Sequence, residues 1–296
     1  MTGLGNLTRR NSKLFFKDKG MFFTSLITPV ILLVLYAIFL AKVYRDSFAS
    51  AVPQGFELDS SLIDATVGGQ LISSLLAVCC ITVAFCSNML MVQDKVTGAL
   101  RDITVTPVKR STLAVSYYIA TVLSTMLICL IATGAGFIYL AKAGWYLSAA
   151  DTALFVLDVI LLVLFGTALS SIINFFLSSQ GQMSAVGTIV SAGYGFICGA
   201  YMPISQFGET LQHVISFLPG TYGTSLLRNH ALAGVYQEMA DTGFPSEVIE
   251  AIKDSVDCNL YFFDSKVETG TMYLILAGST AVLIGIYIVM NLLKKH

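Results

Sequence analysis

The chain has 296 residues, of which 55% are hydrophobic and only 12% charged, about half the charged share of a soluble domain. Seventeen Lys and Arg against 18 Asp and Glu leave a net charge of −1, so no global basic field exists to hold a nucleic acid. This composition excludes an ordinary cytosolic protein, a disordered chain and a coiled coil, and it makes the number of bilayer crossings the first question.

Residues 1–20 place Leu4, Leu7, Leu14 and Phe15 near one helical face, with Arg9, Arg10, Lys13 and Lys17 mainly elsewhere. An amphipathic helix of that kind lies on the inner leaflet, its basic face toward anionic headgroups; a basic tail that serves only orientation is the other reading. The chain then becomes apolar. A helix rising about 1.5 Å per residue needs roughly 20 apolar residues to cross a hydrocarbon core about 30 Å thick. Met21 to Ala41, 21 residues without a charge, is the first such segment. Ala49-Ser50-Ala51 has the composition of a signal-peptide cleavage site, but the apolar run exceeds the roughly 7 to 15 residues of a signal core, so the span is read as retained. Pro29 is expected to kink it, because proline removes one backbone bond and crowds the preceding turn.

Gly69 to Val92 is the second uncharged run. After it, Val92, Val96, Leu100 and Ile103 recur at i, i+4, i+8 and i+11, which predicts a short helix with an apolar stripe in the loop 93–110. Pro107 should end it by disfavouring helical geometry at Thr106. Asp94, Lys95, Arg101 and Asp102 set charges of both signs beside the stripe, the composition of a small protein-docking surface; an ordinary loop with retained positive charges would look similar.

Ser111 to Ala141 is the third run, long enough to tilt. Val159 to Gly208 contains 50 residues without a charge, about 75 Å as one helix, and must fold back. The polar break Ser178-Ser179-Gln180-Gly181-Gln182 divides it into spans at about 152–177 and 183–202, and Thr269 to Leu293 supplies a sixth. Span five carries Gly187, Ser191, Gly195 and Gly199 at four-residue spacing, a face on which another helix, of this subunit or of a second, approaches closely. Beyond it, Ile204, Phe207, Leu211, Val214, Ile215 and Leu218 form an amphipathic pattern too polar on its other side to span, so this helix should lie in or dip into the outer leaflet.

Six spans put both termini on one side. Assigning them to the cytoplasm collects five Lys and Arg in residues 1–20, four in 93–110 and two at the C-terminus, against six outside, as retention of positive loops requires. The outer segment 203–268 has three Lys and Arg against nine Asp and Glu. The expected fold is an all-α polytopic membrane protein forming one transmembrane domain over 1–296. Asp158 is the sole ionisable residue expected within a span; a polar cavity and a position near the interface are both open for it. His213 and His230 are expected to be solvated rather than metal-binding, and five of the six cysteines fall within spans as small apolar residues.

The loop and the outer segment together resemble the permease subunits of type-2 ABC exporters. In that family the loop between spans two and three reads approximately as an acidic residue, a Gly four positions on, an apolar residue, Thr-Pro, an apolar residue and Arg. Asp94, Gly98, Leu100, Thr106, Pro107, Val108 and Arg110 match in order, with Asp94 where Glu is commoner. Met202-Pro203-Ile204 and Leu218-Pro219-Gly220-Thr221-Tyr222 through Leu227-Arg228 are similar to the family's outer signature, while Tyr117 stands where the family suggests Lys.

The resemblance implies a coupling helix inserted into a groove of a cytoplasmic ABC ATPase, with Asp94, Val96, Gly98, Leu100, Arg101, Ile103, Pro107 and Arg110 as its residues. It implies a second permease subunit, identical or related, across a seam of spans one and five, involving Pro29, Gly187, Ser191, Gly195 and Gly199. It also implies short re-entrant helices at the exit, with Phe207, Leu211, Pro219, Tyr222 and Arg228 as an outer gate. A phosphate-binding loop needs a Gly-Lys pair, and none occurs, so ATP and Mg are expected on the partner and no cofactor or metal on this chain. The resulting expectation is a multi-pass subunit of a bacterial plasma membrane that exports a hydrophobic or amphipathic drug, antimicrobial peptide or lipid. The alternative is an ion-coupled transporter using Asp158.

Overall fold

The computed structural model describes residues 2–51, 60–263 and 265–293; Lys294 and Lys295, counted above among the inner positive charges, lie outside them. Helix α1 (Thr2–Lys17) is joined through Asp18 to α2 (Lys19–Leu35), and the Asp18 carboxylate caps α2 by accepting from the Met21 amide at 3.0 Å. A side-chain acceptor at this position satisfies an amide that the helix leaves without a partner. Helix α2 continues through Pro29. A π-helical turn at Tyr36–Leu40 follows and leads into α3 (Ala41–Ala51). At the start of that turn the Tyr36 hydroxyl reaches back to the Val67 carbonyl.

Helix α4 (Ser60–Thr97) is 38 residues long, about 57 Å, and extends well beyond the expected 69–92. It is the axis of the molecule, with α2, α6, α7, α8 and α10 packed around it. Its side chains are buried almost continuously from Ala65 to Val92, because small residues such as Gly69, Ser73, Ala77, Cys80 and Ala84 let neighbouring helices come close on every side. Gly166 shows the same economy of space from the other partner: a Cβ there would lie 3.0 Å from the Cys80 carbonyl.

After a short α5 (Ala99–Thr104), α6 (Arg110–Ala143) runs back along α4, and α7 (Ala149–Phe176) follows. Helix α7 starts in a capping box in which the Asp151 amide donates to Ser148 Oγ at 3.1 Å and the Ser148 amide to the Asp151 carboxylate. Helix α8 is Gln180–Ile197. Among the described residues, five helices are long and apolar enough to cross a membrane: Lys19–Asp46, Ser60–Thr97, Arg110–Ala143, Ala149–Phe176 and Thr269–Leu293. Helix α8, the fifth expected span, is shorter and diluted by Gln, Ser and Gly.

The segment 203–268 is folded against the bundle rather than spread beyond it. The amphipathic helix expected over 204–218 is broken at Phe207-Gly208: a 3₁₀ turn at Ile204–Gln206 precedes α9 (Glu209–Ser216). Then α10 (Pro219–Asp241), opened by a proline in its first turn, packs against α4, α7 and α12. Gly220 of α10 faces Phe165, and Gly234 lies against the Tyr146 backbone, so α10 runs antiparallel to α7. Its first turn sits about 24 Å along α7 from Ala149. Helix α11 (Ser246–Ser255) and a hairpin, β1 (Leu260–Phe262) paired with β2 (Ser265–Val267), lead to α12 (Thr269–Leu293). Ile249, Ile252, Val256 and Cys258 join Leu62 of α4 and Val235 and Met239 of α10 in a second, smaller core at this end.

Candidate functional site

Three places concentrate polar chemistry or open volume: the α4–α5 junction at one end of the bundle, a cleft between α2 and α8, and a set of buried charge pairs at the opposite end.

The stripe from Val92 to Ile103 is carried by two helices, not one. Gly98 sits at φ +85° with no heavy atom within 4 Å of an added Cβ. Only its freedom to adopt a left-handed conformation lets the chain turn between α4 and α5 there. Val92 is buried inside the bundle and Val96 is exposed on the last turn of α4. Leu100 and Ile103 are half-buried and pack against Leu90, Met91, Leu113 and Tyr117, together with Leu7 and Leu14 of α1. The residues that α5 and its exit present to solvent include Arg101, Asp102, Val105, Pro107 and Arg110.

Asp94, expected among the docking charges, is buried. Arg10 Nη1 and Nη2 donate to its two oxygens at 2.6 and 2.9 Å, and the Tyr117 hydroxyl donates to Oδ2. Asn11 extends the contact to Ser116 Oγ at 3.3 Å. This bidentate pair pushes the Arg10 guanidinium above its ordinary value. Tyr117 therefore occupies a real structural place, and the cation that faces Asp94 comes from α1. The neighbouring Lys95 turns the other way: its ammonium donates to the carbonyls of Asn174, Phe175 and Leu177 at 2.9, 2.8 and 2.9 Å. A positive charge on the last carbonyls of α7 matches the negative end of its dipole.

Beside this junction opens a cleft of about 980 Å³, walled by α2 and α8 and floored by Cys86, Met89 and Gln93 of α4. Its walls are mostly apolar: Ile27, Ile31, Leu35 and Phe39 face Met183, Gly187, Ser191 and Phe196, with Asp18 and Gln180 at the end nearest α5. Of the four-residue stripe expected on span five, Gly187 and Ser191 line the cleft. Gly195 is buried against the Tyr201 ring, which an added Cβ would strike at 2.3 Å. Gly199 lies beyond the helix at φ +73°, so it makes a turn rather than a contact face. Pro29 is buried within the chain and does not line the cleft.

At the opposite end Arg228 is fully buried. It donates to Asp257 Oδ2 at 3.0 Å, to Ser74 Oγ at 3.2 Å and to the Gly199 carbonyl, while the Ile204 amide donates to the same Asp257 oxygen at 2.8 Å. Tyr222 is buried too, donating to the Ser216 carbonyl at 2.6 Å. Tyr222 lines a small cavity of about 220 Å³ with Ile204, Gln212, Ile215 and Asp257, whereas Arg228 is enclosed by its partners. Leu211 is exposed, and Phe207 and Pro219 are half-buried.

Asp158 is wholly enclosed, with Oδ2 2.6 Å from His230 Nδ1 and Oδ1 accepting from Tyr273 Oη at 2.6 Å. His230 is thus a buried partner of the span, not a solvated outer residue. His213 stacks on Phe263 at 4.5 Å, and no cluster of potential metal ligands occurs among the described residues. On the surface nearby, Lys253 and Lys266 bracket Glu250 at 2.9 and 2.7 Å and hold its carboxyl down to about 2.

A buried central helix, five membrane-length helices and a short helix exposed at one end define a multi-pass helical membrane protein. The profile of the ABC-2 type transporter family matches residues 2–231, and the chain belongs to that family. It is a transmembrane component of an ABC transporter, which has an ABC ATPase as its general partner. In comparison with curated proteins, no sequence matches the chain. Family membership does not favour the ion-coupled reading, and both Asp158 oxygens are already engaged by protein groups.

Proposed function

We propose that the chain is the permease subunit of an ATP-driven exporter, pairing with a second permease subunit, identical or related, and with cytoplasmic ATPase subunits that bind ATP and Mg. In this reading α8 is a sixth crossing, both termini are cytoplasmic, and α5 is the coupling helix. The positive charges of residues 1–20 and 93–110 support that orientation.

The observation that carries the proposal is the position of the cleft. An apolar volume of about 980 Å³ between α2 and α8 opens next to the junction that bears α5. A volume of that size suits a drug-sized or lipid-like molecule, and its apolar walls suit hydrophobic or amphipathic cargo. Closure of the ATPases would push on α5, and the helices walling the cleft would move as rigid bodies. The setting is a bacterial plasma membrane, with lipid around the exposed faces of α2 and α12.

Leu100 and Ile103 are half-buried, and Arg101, Asp102, Val105, Pro107 and Arg110 are the exposed residues of the proposed docking surface. The test is co-purification in mild detergent of the wild type and of Arg101→Glu with Val105→Asp, with bound partners identified and ATPase activity assayed. Recovery of an ABC ATPase with the wild type and its loss from the variant, with membrane insertion unchanged, is the expected result. Absence of any ATPase from the wild type across gentle detergents overturns the reading.

A further inference from the structure

Three consecutive residues at the end of α4 reach three different parts of the molecule. Gln93 lines the floor of the cleft, Asp94 is clamped by Arg10 of α1, and Lys95 holds the last carbonyls of α7. Each of the two charged contacts is separated from a cleft wall by a very short, capped connection. On one side, α1 passes to α2 through Asp18 alone: the Asp18 amide donates to the Leu14 carbonyl at 2.9 Å and the Phe22 amide to the Asp18 carbonyl at 3.0 Å. The rings of Phe15 and Phe22 pack edge to face across the joint. On the other side, α7 passes to α8 through Leu177, Ser178 and Ser179. There Ser179 caps α8 by accepting from the Gln182 amide at 3.2 Å, and the Ser178 amide donates to Gln182 Oε1 at 2.9 Å.

Resting on the permease reading above, we propose that Asp94 and Lys95 divide the displacement of the α5 segment between the two walls of the cleft, Asp94 through α1 to α2 and Lys95 through the α7 terminus to α8. Both are positioning residues. Charge-assisted contacts with two or three short hydrogen bonds resist extension far better than a single neutral one. Gly98 next to them is the flexible point at which α5 tilts relative to α4. A displacement of the last turn of α4 is therefore delivered to the start of both wall helices, on opposite sides of the opening that they enclose. Severing one link leaves the other wall responsive, and that separability distinguishes a divided linkage from general loosening of the bundle.

The experiment uses the permease reconstituted with its ATPase in lipid nanodiscs. Spin labels on Ile31→Cys of α2 or Thr188→Cys of α8, each paired with Leu123→Cys on the outer face of α6, report the position of each wall with and without ATP plus vanadate. The wild-type background is expected to show a nucleotide-dependent shift at both walls. Lys95→Met should abolish the shift at Thr188 and keep it at Ile31, and Arg10→Ala should do the reverse. Lys95→Arg should restore the α8 response, because a cationic donor is kept. Equal loss at both walls in each variant, or no loss in either, overturns the division while leaving the ATP-driven reading intact. Absence of any shift in the wild type with the ATPase bound overturns the permease reading and the division with it.

Discussion

The two ends of the bundle bury charge in different ways. At the α10 end, Arg228 and Asp257 are sealed, with side-chain exposures of 0% and 4%, and Asp158 is closed in by His230 and Tyr273. At the α5 end, Asp94 is buried but its partner Arg10 remains 30% exposed, and Lys95 grips backbone carbonyls rather than a carboxylate. One end is held by buried polar contacts between helices; the other is tied by contacts at the margin of solvent. Desolvation makes the first kind costly to break and the second kind adjustable.

That contrast is sharpest in the expected cost of single substitutions. Asp257→Ala leaves Arg228 buried with its main counter-charge gone and should destabilise the protein by about 3 to 5 kcal/mol, measured as a fall in the detergent unfolding midpoint; a loss below about 1 kcal/mol would erase the distinction between the ends. Asp158→Ala removes two hydrogen bonds that join α7, α10 and α12 and should cost about 1 to 3 kcal/mol. Hydrogen exchange should then rise in the first half of α10 while the α5 end stays protected. Arg10→Ala leaves the buried Asp94 carboxylate with Tyr117 as a donor and should cost about 1 to 3 kcal/mol, with protease sensitivity of α1 as the local readout; a penalty as large as that of Asp257→Ala would reverse the comparison.

The smallest effect concerns pH at the exposed edge of the α10 end. Glu250 titrates near 2 in the folded chain against an ordinary 4.5. Its ion pairs with Lys253 and Lys266 therefore contribute fully above the ordinary value and are lost as pH falls from there through 2. Limited proteolysis of 246–267 should accelerate over that window and not between pH 6 and 8. Glu250→Gln should remove the dependence.

Much of the helical framework was legible because charge-free runs are a length measurement: four of the five membrane-length helices contain the uncharged segments at 21–41, 69–92, 111–141 and 269–293. The fifth, Ala149–Phe176, begins close to the expected span at 152–177. What escaped was backbone geometry and partnership over distance. A stripe through Val92, Val96, Leu100 and Ile103 has helical period whether or not Gly98 turns the chain, so the break at φ +85° left no trace in periodicity. Arg10 and Asp94 are 84 positions apart, and neither residue type reports burial by itself. Helix α10 was hidden by Arg228, Asn229 and His230, which make its middle look solvated. The usable signal was Leu227, Ala231, Leu232, Val235, Tyr236 and Met239, an apolar stripe at helical spacing running past those polar residues. Gly199 was misplaced for a related reason, since four-residue spacing continues numerically past the point where a helix has ended.

The length of α8 has a consequence for the lipid around it. Eighteen residues reach about 27 Å, whereas the 34 residues of α6 reach about 51 Å. For α8 to cross a hydrocarbon layer about 30 Å thick it must stand nearly upright and draw the two leaflets together beside it, while α6 leans or projects. On the six-span reading proposed above, the membrane is then thinnest along the wall of the cleft, and an amphipathic cargo of the proposed kind would have the shortest stretch of hydrocarbon to traverse there.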